Sequence, residues 1–264
     1  MLKDTKIVFV DLDGTLLDNN GKVGEFTKKT IKELVAKGIY VVICSGRASS
    51  DVIRISQEVN ATPIIISDNG ARVFNYSLSK PFFESKINPA SIEDIWNLAK
   101  NNNISITLNS KYKRLKNEFS TKNGILIKNI KNSRNDITQI VATTKDFNSV
   151  ELLKNIIKKH SKLEIKNLWK ISSLHEQDSF EMDIANKNNN KGNAIKVVLK
   201  NLNIKKKYAL CIGDGNNDFC MFKMCQTKVA MKNGNNELKK YADFITSYSN
   251  NKEGVAKFIK ENLI

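Results

Sequence analysis

The stretch Ile7-Val8-Phe9-Val10-Asp11-Leu12-Asp13-Gly14-Thr15 decides how this chain is read. Its first four residues form an apolar run that is too short for a helix and does not alternate. Such a run marks a strand buried on both faces, as in a parallel sheet. The run stops abruptly at two acidic residues and a glycine, so the strand carries carboxylates to one of its ends. Three further runs stop in the same way. Residues 41–44 are followed by Ser45-Gly46-Arg47, residues 64–66 by Ser67-Asp68-Asn69-Gly70, and residues 210–212 by Gly213-Asp214-Gly215-Asn216-Asn217-Asp218. In a doubly wound sheet the parallel strands deliver their carboxyl ends to one edge, and ligands bind there.

Working outward, the spacing predicts strands over 6–10, 39–44 and 63–66, with helices over 25–36 and 50–59 between them. The same style returns near the end, with helices over 191–202, 217–224 and 252–262 and strands over 208–212 and 228–231. The middle differs. Ile104-Ile106-Leu108 and Phe180-Met182-Ile184 alternate apolar with polar, and helical stretches over 91–101 and 149–160 interrupt them. Alternation points to an antiparallel sheet covered on one face. The expected fold class is therefore α/β: a doubly wound, mostly parallel, Rossmann-like core with an inserted α+β cap domain. Residues 1–81 and 188–264 form the core and 82–187 the insertion, with junctions near 80–85 and 186–190.

Composition narrows the function. No apolar run approaches the roughly 20 residues of a membrane span. The four cysteines, at 44, 211, 220 and 225, form no CxxC pair, and two of them lie in apolar strands; reduced thiols in a cytoplasmic protein are expected. The net charge of +16 invites a nucleic-acid reading. Against it, 38 of the 43 basic residues are lysines, and the cap and core share the excess in proportion to their lengths. Nucleic-acid binders concentrate charge on one face and use arginine for forked contacts. Attraction of small anions suits the same field. A small anionic partner is therefore expected, with no nucleic acid and no membrane, and the chain is expected to be a monomer or weak homodimer.

The rim residues suggest the chemistry. Asp11 and Asp13 are two apart, so continued strand geometry would point both the same way. Paired carboxylates repel unless a cation or a shared proton intervenes. Asp214 and Asp218 add acid to the same edge, and an all-oxygen donor set suits Mg²⁺, which commonly bridges to phosphate. Ser45 and the glycine amides offer neutral donors to phosphate oxygens. Lys191 opens a helix and could supply the positive charge that phosphoryl transfer needs. No GxxxxGK[ST] loop occurs, which argues against that kind of nucleoside triphosphate hydrolysis.

Taken together, DLDGT at 11–15, SGR at 45–47, Lys191-Gly192 and GDGNND at 213–218 resemble the four motifs of the haloacid dehalogenase-like phosphohydrolases. IISDNGA at 65–71 and ADFITSYSNNKEGVAKFI at 242–259 are similar to the Cof-type branch, which carries an α+β (type IIB) cap between motifs II and III. The resemblance implies that Asp11 attacks phosphorus to form an aspartyl-phosphate, while Asp13 protonates the leaving alcohol and then activates water. It implies Mg²⁺ held by the Asp11 carboxylate, the Asp13 backbone carbonyl and Asp214, with Asp218 in or beside that shell. Ser45, Gly46, Lys191, Asn217 and the Leu12 amide would hold the phosphoryl oxygens. Two departures stand out: Ser45 replaces a common threonine, and residues 230–235 form a longer loop than the usual tight turn.

Each feature alone has a plainer reading. A lone DxD is often a cap or turn, or the metal–nucleotide site of a glycosyltransferase. Ser45, Gly46 and Gly215 alone are turn formers, Asp218 could simply orient its neighbours, and Arg47 reads as structural. His160 and His175 lack a ligand constellation; Trp96 reads as core, and Trp169 as core or pocket wall. The expected activity is an Mg²⁺-dependent phosphatase acting on sugar phosphates or phosphorylated cofactors. A phosphomutase or phosphotransferase of the same fold, or a non-catalytic binding protein, is the alternative.

Overall fold

The computed structural model describes residues 2–78, 81–111, 113–172 and 178–264. The chain begins with β1 (Ile7–Val10), α1 (Glu25–Ala36), β2 (Tyr40–Cys44), α2 (Ser49–Glu58), β3 (Ile64–Ser67), β4 (Arg72–Asn75) and β5 (Phe83–Glu84). There follow α3 (Pro89–Asn101), β6 (Ser105–Asn109), β7 (Arg114–Lys116), β8 (Ile125–Leu126), β9 (Gln139–Thr144), α4 (Phe147–Lys159), β10 (Leu163–Ile171) and β11 (Ser179–Asn186). It closes with α5 (Lys191–Asn201), β12 (Ala209–Gly213), α6 (Phe219–Met224), β13 (Thr227–Ala230), α7 (Asn236–Lys239), β14 (Phe244–Ile245) and α8 (Gly254–Asn262). Two compact units result. One comprises residues 1–47, 51–83 and 190–264, and the other 84–189 with 48–50.

In the first unit eight strands run in the order β14-β13-β12-β1-β2-β3-β4-β5. From β14 to β3 every pairing is parallel, and β4 turns back antiparallel on β3. Because side chains alternate along a strand, each apolar run feeds two cores. Val8 and Val10 of β1 face one layer with Ile31 and Leu34 of α1, Ile55 of α2 and Ile259 of α8. Ile7 and Phe9 face the other, with Ile195 and Val198 of α5 and Met221 of α6. Each such side chain contributes about 1.5–3 kcal/mol by leaving water, and Phe9→Ala would cost about 3–5 kcal/mol. Sequence order diverges on the two sides of β1, toward β2 and toward β12, so the crevice between the ends of β1 and β12 is the topological switch point.

The second unit is a six-stranded sheet, β10-β11-β9-β6-β7-β8, antiparallel except for the short β7–β8 pair. Ile92, Ile95 and Trp96 of α3 and Val150, Leu153 and Ile157 of α4 pack on its alternate residues Ile106, Leu108, Ile140, Ala142, Met182 and Ile184. Asn88 accepts the Ala90 amide ahead of α3, where Pro89 occupies the first helical position, and Asp146 accepts two amides at the start of α4. Trp96 is core as expected, Trp169 is 45% exposed, and His160 is half-buried against Ser91 and Asp94. His175 lies outside the described residues. Cys44, Cys211 and Cys225 are buried free thiols, and among the described residues no helix is long and apolar enough to cross a membrane.

Candidate active site

The ends of β1 and β12 are joined before any side chain is considered, because the Asp11 amide donates to the Ile212 carbonyl (3.1 Å). Past Asp11 the strand does not continue. The chain curls over Leu12–Leu16, with Asp13 extended (φ −75°, ψ 125°) and Gly14 left-handed (φ +73°). Only glycine tolerates that position: its φ disfavours a side chain, and a Cβ would lie 2.3 Å from the Asp214 carboxylate. The curl lets the Thr15 hydroxyl donate to Asp214 Oδ1 (2.8 Å). It also sends Asp11 and Asp13 apart. Asp11 is buried, whereas Asp13 is exposed and held in a fork by Arg47, with Nε to Oδ2 at 2.9 Å and Nη2 to Oδ1 at 2.5 Å. The expectation that both carboxylates point the same way fails here because strand geometry ends at Asp11.

Lys191, the first residue of α5, is positioned by Asn190, whose side chain accepts the Asn193 amide (2.8 Å). The Lys191 side chain is 1% exposed, and its Nζ donates to Asp11 Oδ1 (2.5 Å) and Asp218 Oδ1 (2.7 Å). Asp218 Oδ2 in turn accepts the amides of Asp214 (2.9 Å) and Gly215 (3.0 Å), which folds the loop after β12 around it. Oxygen atoms of Asp11, Asp214 and Asp218 all lie within 4.8 Å of one another. Burial, reinforced by the charges of Asp218 and Asp214 and opposed by Lys191, pushes the Asp11 carboxyl well above its usual range. Burial raises Asp214 as well, against the Thr15 hydrogen bond. For Lys191 burial acts downward, but Asp11 and Asp218 outweigh it and hold the ammonium well above its ordinary value. One lysine against three carboxylates leaves an excess of negative charge in a water-poor crevice, and the donors are all hard oxygens. That donor set fits a divalent cation such as Mg²⁺.

Comparison over the whole chain shows its family. Residues 8–259 match the family model of haloacid dehalogenase-like hydrolases. The chain belongs to that family. A 5-amino-6-(5-phospho-D-ribitylamino)uracil phosphatase of Bacillus subtilis is 26% identical, over 97% of this chain and 95% of its own. A haloacid dehalogenase-like hydrolase from Bacteroides thetaiotaomicron superposes with a TM-score of 0.84 at 21% identity, covering 97% of this chain and 99% of the other. The structure of a subclass IIB sugar phosphatase of the same superfamily does so with a TM-score of 0.75 at 20% identity, covering 97% and 98%. The Cof-type resemblance and the doubly wound α/β core with a second α+β unit hold for this hydrolase.

Within the hydrolase, Asp11, Lys191, Asp214 and Asp218 come together, while the side chain of Asp13 stands apart. Ser45 is buried at the end of β2, its Oγ accepting the Arg47 amide (3.1 Å). Gly46 lies where a Cβ would press within 2.8 Å of the Asn69 side chain. Leu12 is wholly buried, and the Asn217 side chain is exposed. Four contributors were not singled out by sequence reasoning: Thr15, Arg47 as the partner of Asp13, Asn233 and Asn235. Asn233 Nδ2 donates to the Gly14 carbonyl (2.7 Å), and the Asn235 amide to the Asp214 carbonyl (2.7 Å). The only hint of the last two was the longer loop at 230–235.

Proposed function

We infer that this hydrolase is an Mg²⁺-dependent phosphatase that cleaves small phosphorylated metabolites through an aspartyl-phosphate on Asp11. That it is a phosphoric monoester hydrolase accords with its family and with relatives named phosphatases. The single observation carrying the finer reading is the buried Asp11 carboxylate at the switch point, gripped by Lys191 beside Asp214.

Asp11 and Asp214, with the Asp13 backbone carbonyl, would hold the cation, which supplies positive charge against the phosphoryl oxygens. Asp218 has both oxygens committed, one to Lys191 and one to two amides, so its part is to set the loop and the lysine. An Asp11 oxygen attacks phosphorus as the bond to the leaving oxygen breaks, and Asp13 delivers a proton to that oxygen. Asp13 then takes a proton from water, which attacks the aspartyl-phosphate and releases phosphate and free Asp11. To serve, Asp13 must leave the Arg47 fork, so Arg47 parks the acid/base group between turnovers. Lys191, the Ser45 hydroxyl and the Gly46 and Leu12 amides stabilise charge on the transferring group, and Asn217 reaches it from its exposed turn. The second unit acts as the cap that selects the substrate and excludes water. A phosphorylated sugar or ribityl chain suits both the ribitylamino-uracil phosphatase and the sugar phosphatase this chain resembles.

The test is phosphate release from sugar phosphates, ribityl phosphates, pyridoxal phosphate and flavin mononucleotide, with Mg²⁺, with EDTA, and with Asp11→Asn. Release that requires both Mg²⁺ and Asp11 is expected. Turnover by Asp11→Asn, or equal turnover in EDTA, would refute the mechanism.

A further inference from the structure

The sheet edge opposite the carboxylates carries a second concentration of function-bearing groups. Five residues separate Lys6 from Asp11, and at about 3.3 Å per residue the two edges lie about 16 Å apart. At the far edge the Lys6 amide donates to the Tyr208 carbonyl and the Tyr40 amide to the Lys6 carbonyl, both at 2.9 Å. Lys6, Lys37, Tyr40 and Tyr208 wall an open cleft of about 500 Å³. A second, of about 420 Å³, lies against Lys196, Lys200, Lys205 and Lys206, and Ile204 lines both. Among the described residues Asp4 is the one acidic residue in either lining.

The charge that reads as diffuse along the sequence gathers here. Residues 184–213 contain seven lysines and no acidic residue. One of them is Lys191, and five others, at 196, 200, 205, 206 and 207, fall in or beside these clefts. Lys6 and Lys207 both approach the Tyr208 ring, their ammonium groups 4.8 and 4.9 Å from its centroid. The ring thus holds two like charges side by side, and both add to the positive potential an anion would meet there. Among the described residues no carboxylate forms an ion pair with either lysine. A bridging polyanion would meet this pair and the surrounding ammonium groups at once.

We propose that this paired cleft is a binding site for a short chain of phosphates, either free or carried on a nucleoside, separate from the catalytic crevice. Compact ammonium charges suit phosphate groups as point charges. No arginine lines either cleft, so the forked contacts that nucleic-acid binders favour are missing.

The experiment is calorimetric titration of tripolyphosphate, ATP and an RNA oligonucleotide in EDTA and low salt, into the wild type and two double variants. Lys6→Gln with Lys207→Gln removes the charges on Tyr208. Lys22→Gln with Lys29→Gln removes equal charge from elsewhere on the same unit. The expected result is saturable tripolyphosphate binding, weakened at least tenfold by the first pair and less than twofold by the second. ATP binding more tightly than tripolyphosphate identifies a nucleoside-borne chain, and equal affinity a bare one. Absence of saturable binding, equal weakening by both pairs, or tighter binding of the RNA than of either small ligand overturns the proposal.

Discussion

Replacing Lys191 by methionine tests the electrostatic logic of the site without any substrate. Methionine keeps much of the stem's apolar volume and removes only the ammonium that lies 2.5 Å from Asp11 and 2.7 Å from Asp218. Removing one partner of a buried ion pair leaves uncompensated buried charge and costs about 3–5 kcal/mol. At about 2–4 °C per kcal/mol for a chain of this size, Tm in EDTA should fall by roughly 6–20 °C near pH 8. The pH dependence has a definite sign. Lys191 sits above its ordinary value when folded, so its stabilising contribution is complete below the unfolded lysine pKa and constant between about pH 5 and 8. Asp11 is also raised, so its folded state favours the protonated form. Its contribution is full below an ordinary carboxylate pKa of about 4 and declines as pH rises through the folded value. Without Lys191 the strongest influence lowering Asp11 is gone, its folded pKa climbs further, and the variant's deficit should shrink as pH falls from about 8 to 5. Thermal unfolding followed by circular dichroism at several pH values in EDTA measures this. A Tm within about 2 °C of wild type at pH 8, or a deficit indifferent to pH, would refute the account.

Asp214→Asn keeps an acceptor for the Thr15 hydroxyl while removing a charge that burial disfavours. Tm in EDTA should hold or rise, and the Tm increase produced by Mg²⁺ should largely vanish; full retention of the Mg²⁺ effect would place the cation elsewhere. Asp13→Asn disturbs only a partly exposed pair with Arg47, worth at most about 1 kcal/mol, so Tm should move by less than about 4 °C. Phosphate release should nonetheless drop at least about 100-fold, and a variant with near-normal turnover would remove Asp13 from its role. Gly14→Ala should cost about 1–2 kcal/mol from the left-handed backbone alone, and the Cβ pressing on Asp214 should weaken Mg²⁺-induced stabilisation as read from the same melts.

The parts of the fold that could be read from sequence are those where one pattern has one physical cause. The uniformly apolar runs of β1, β2, β3 and β12 follow from burial on both faces, and α1 spans the residues its spacing predicts. Sequence reading gave no element for β4, β7, β9, β10 or α7, nor for the two-residue strands β5, β8 and β14, which exist through pairing rather than through a periodicity of their own. The site divides in the same way. Asp11, Lys191, Asp214 and Asp218 were legible because each immediately follows a strand or opens a helix, where topology dictates position. The separation of Asp13 from Asp11 was not, since it depends on where the strand stops hydrogen bonding and on Gly14 turning left-handed. Thr15 and Asn233 act through hydrogen bonds across 199 and 219 residues of chain, and Asn235 through one across 21, which no local pattern encodes. The basic face shows the same limit from the other side. Its lysines look evenly spread when counted by domain, yet the α5–β12 connection and the amino ends of β1 and β2 bring them to one sheet edge. Parallel topology thus does two things with one sheet: it collects the acids at the carboxyl ends of the strands and gathers the lysines at the amino ends. The carboxylates outnumber the one lysine among them and favour a cation, and the lysines favour an anion, so the two edges should respond to opposite ligands.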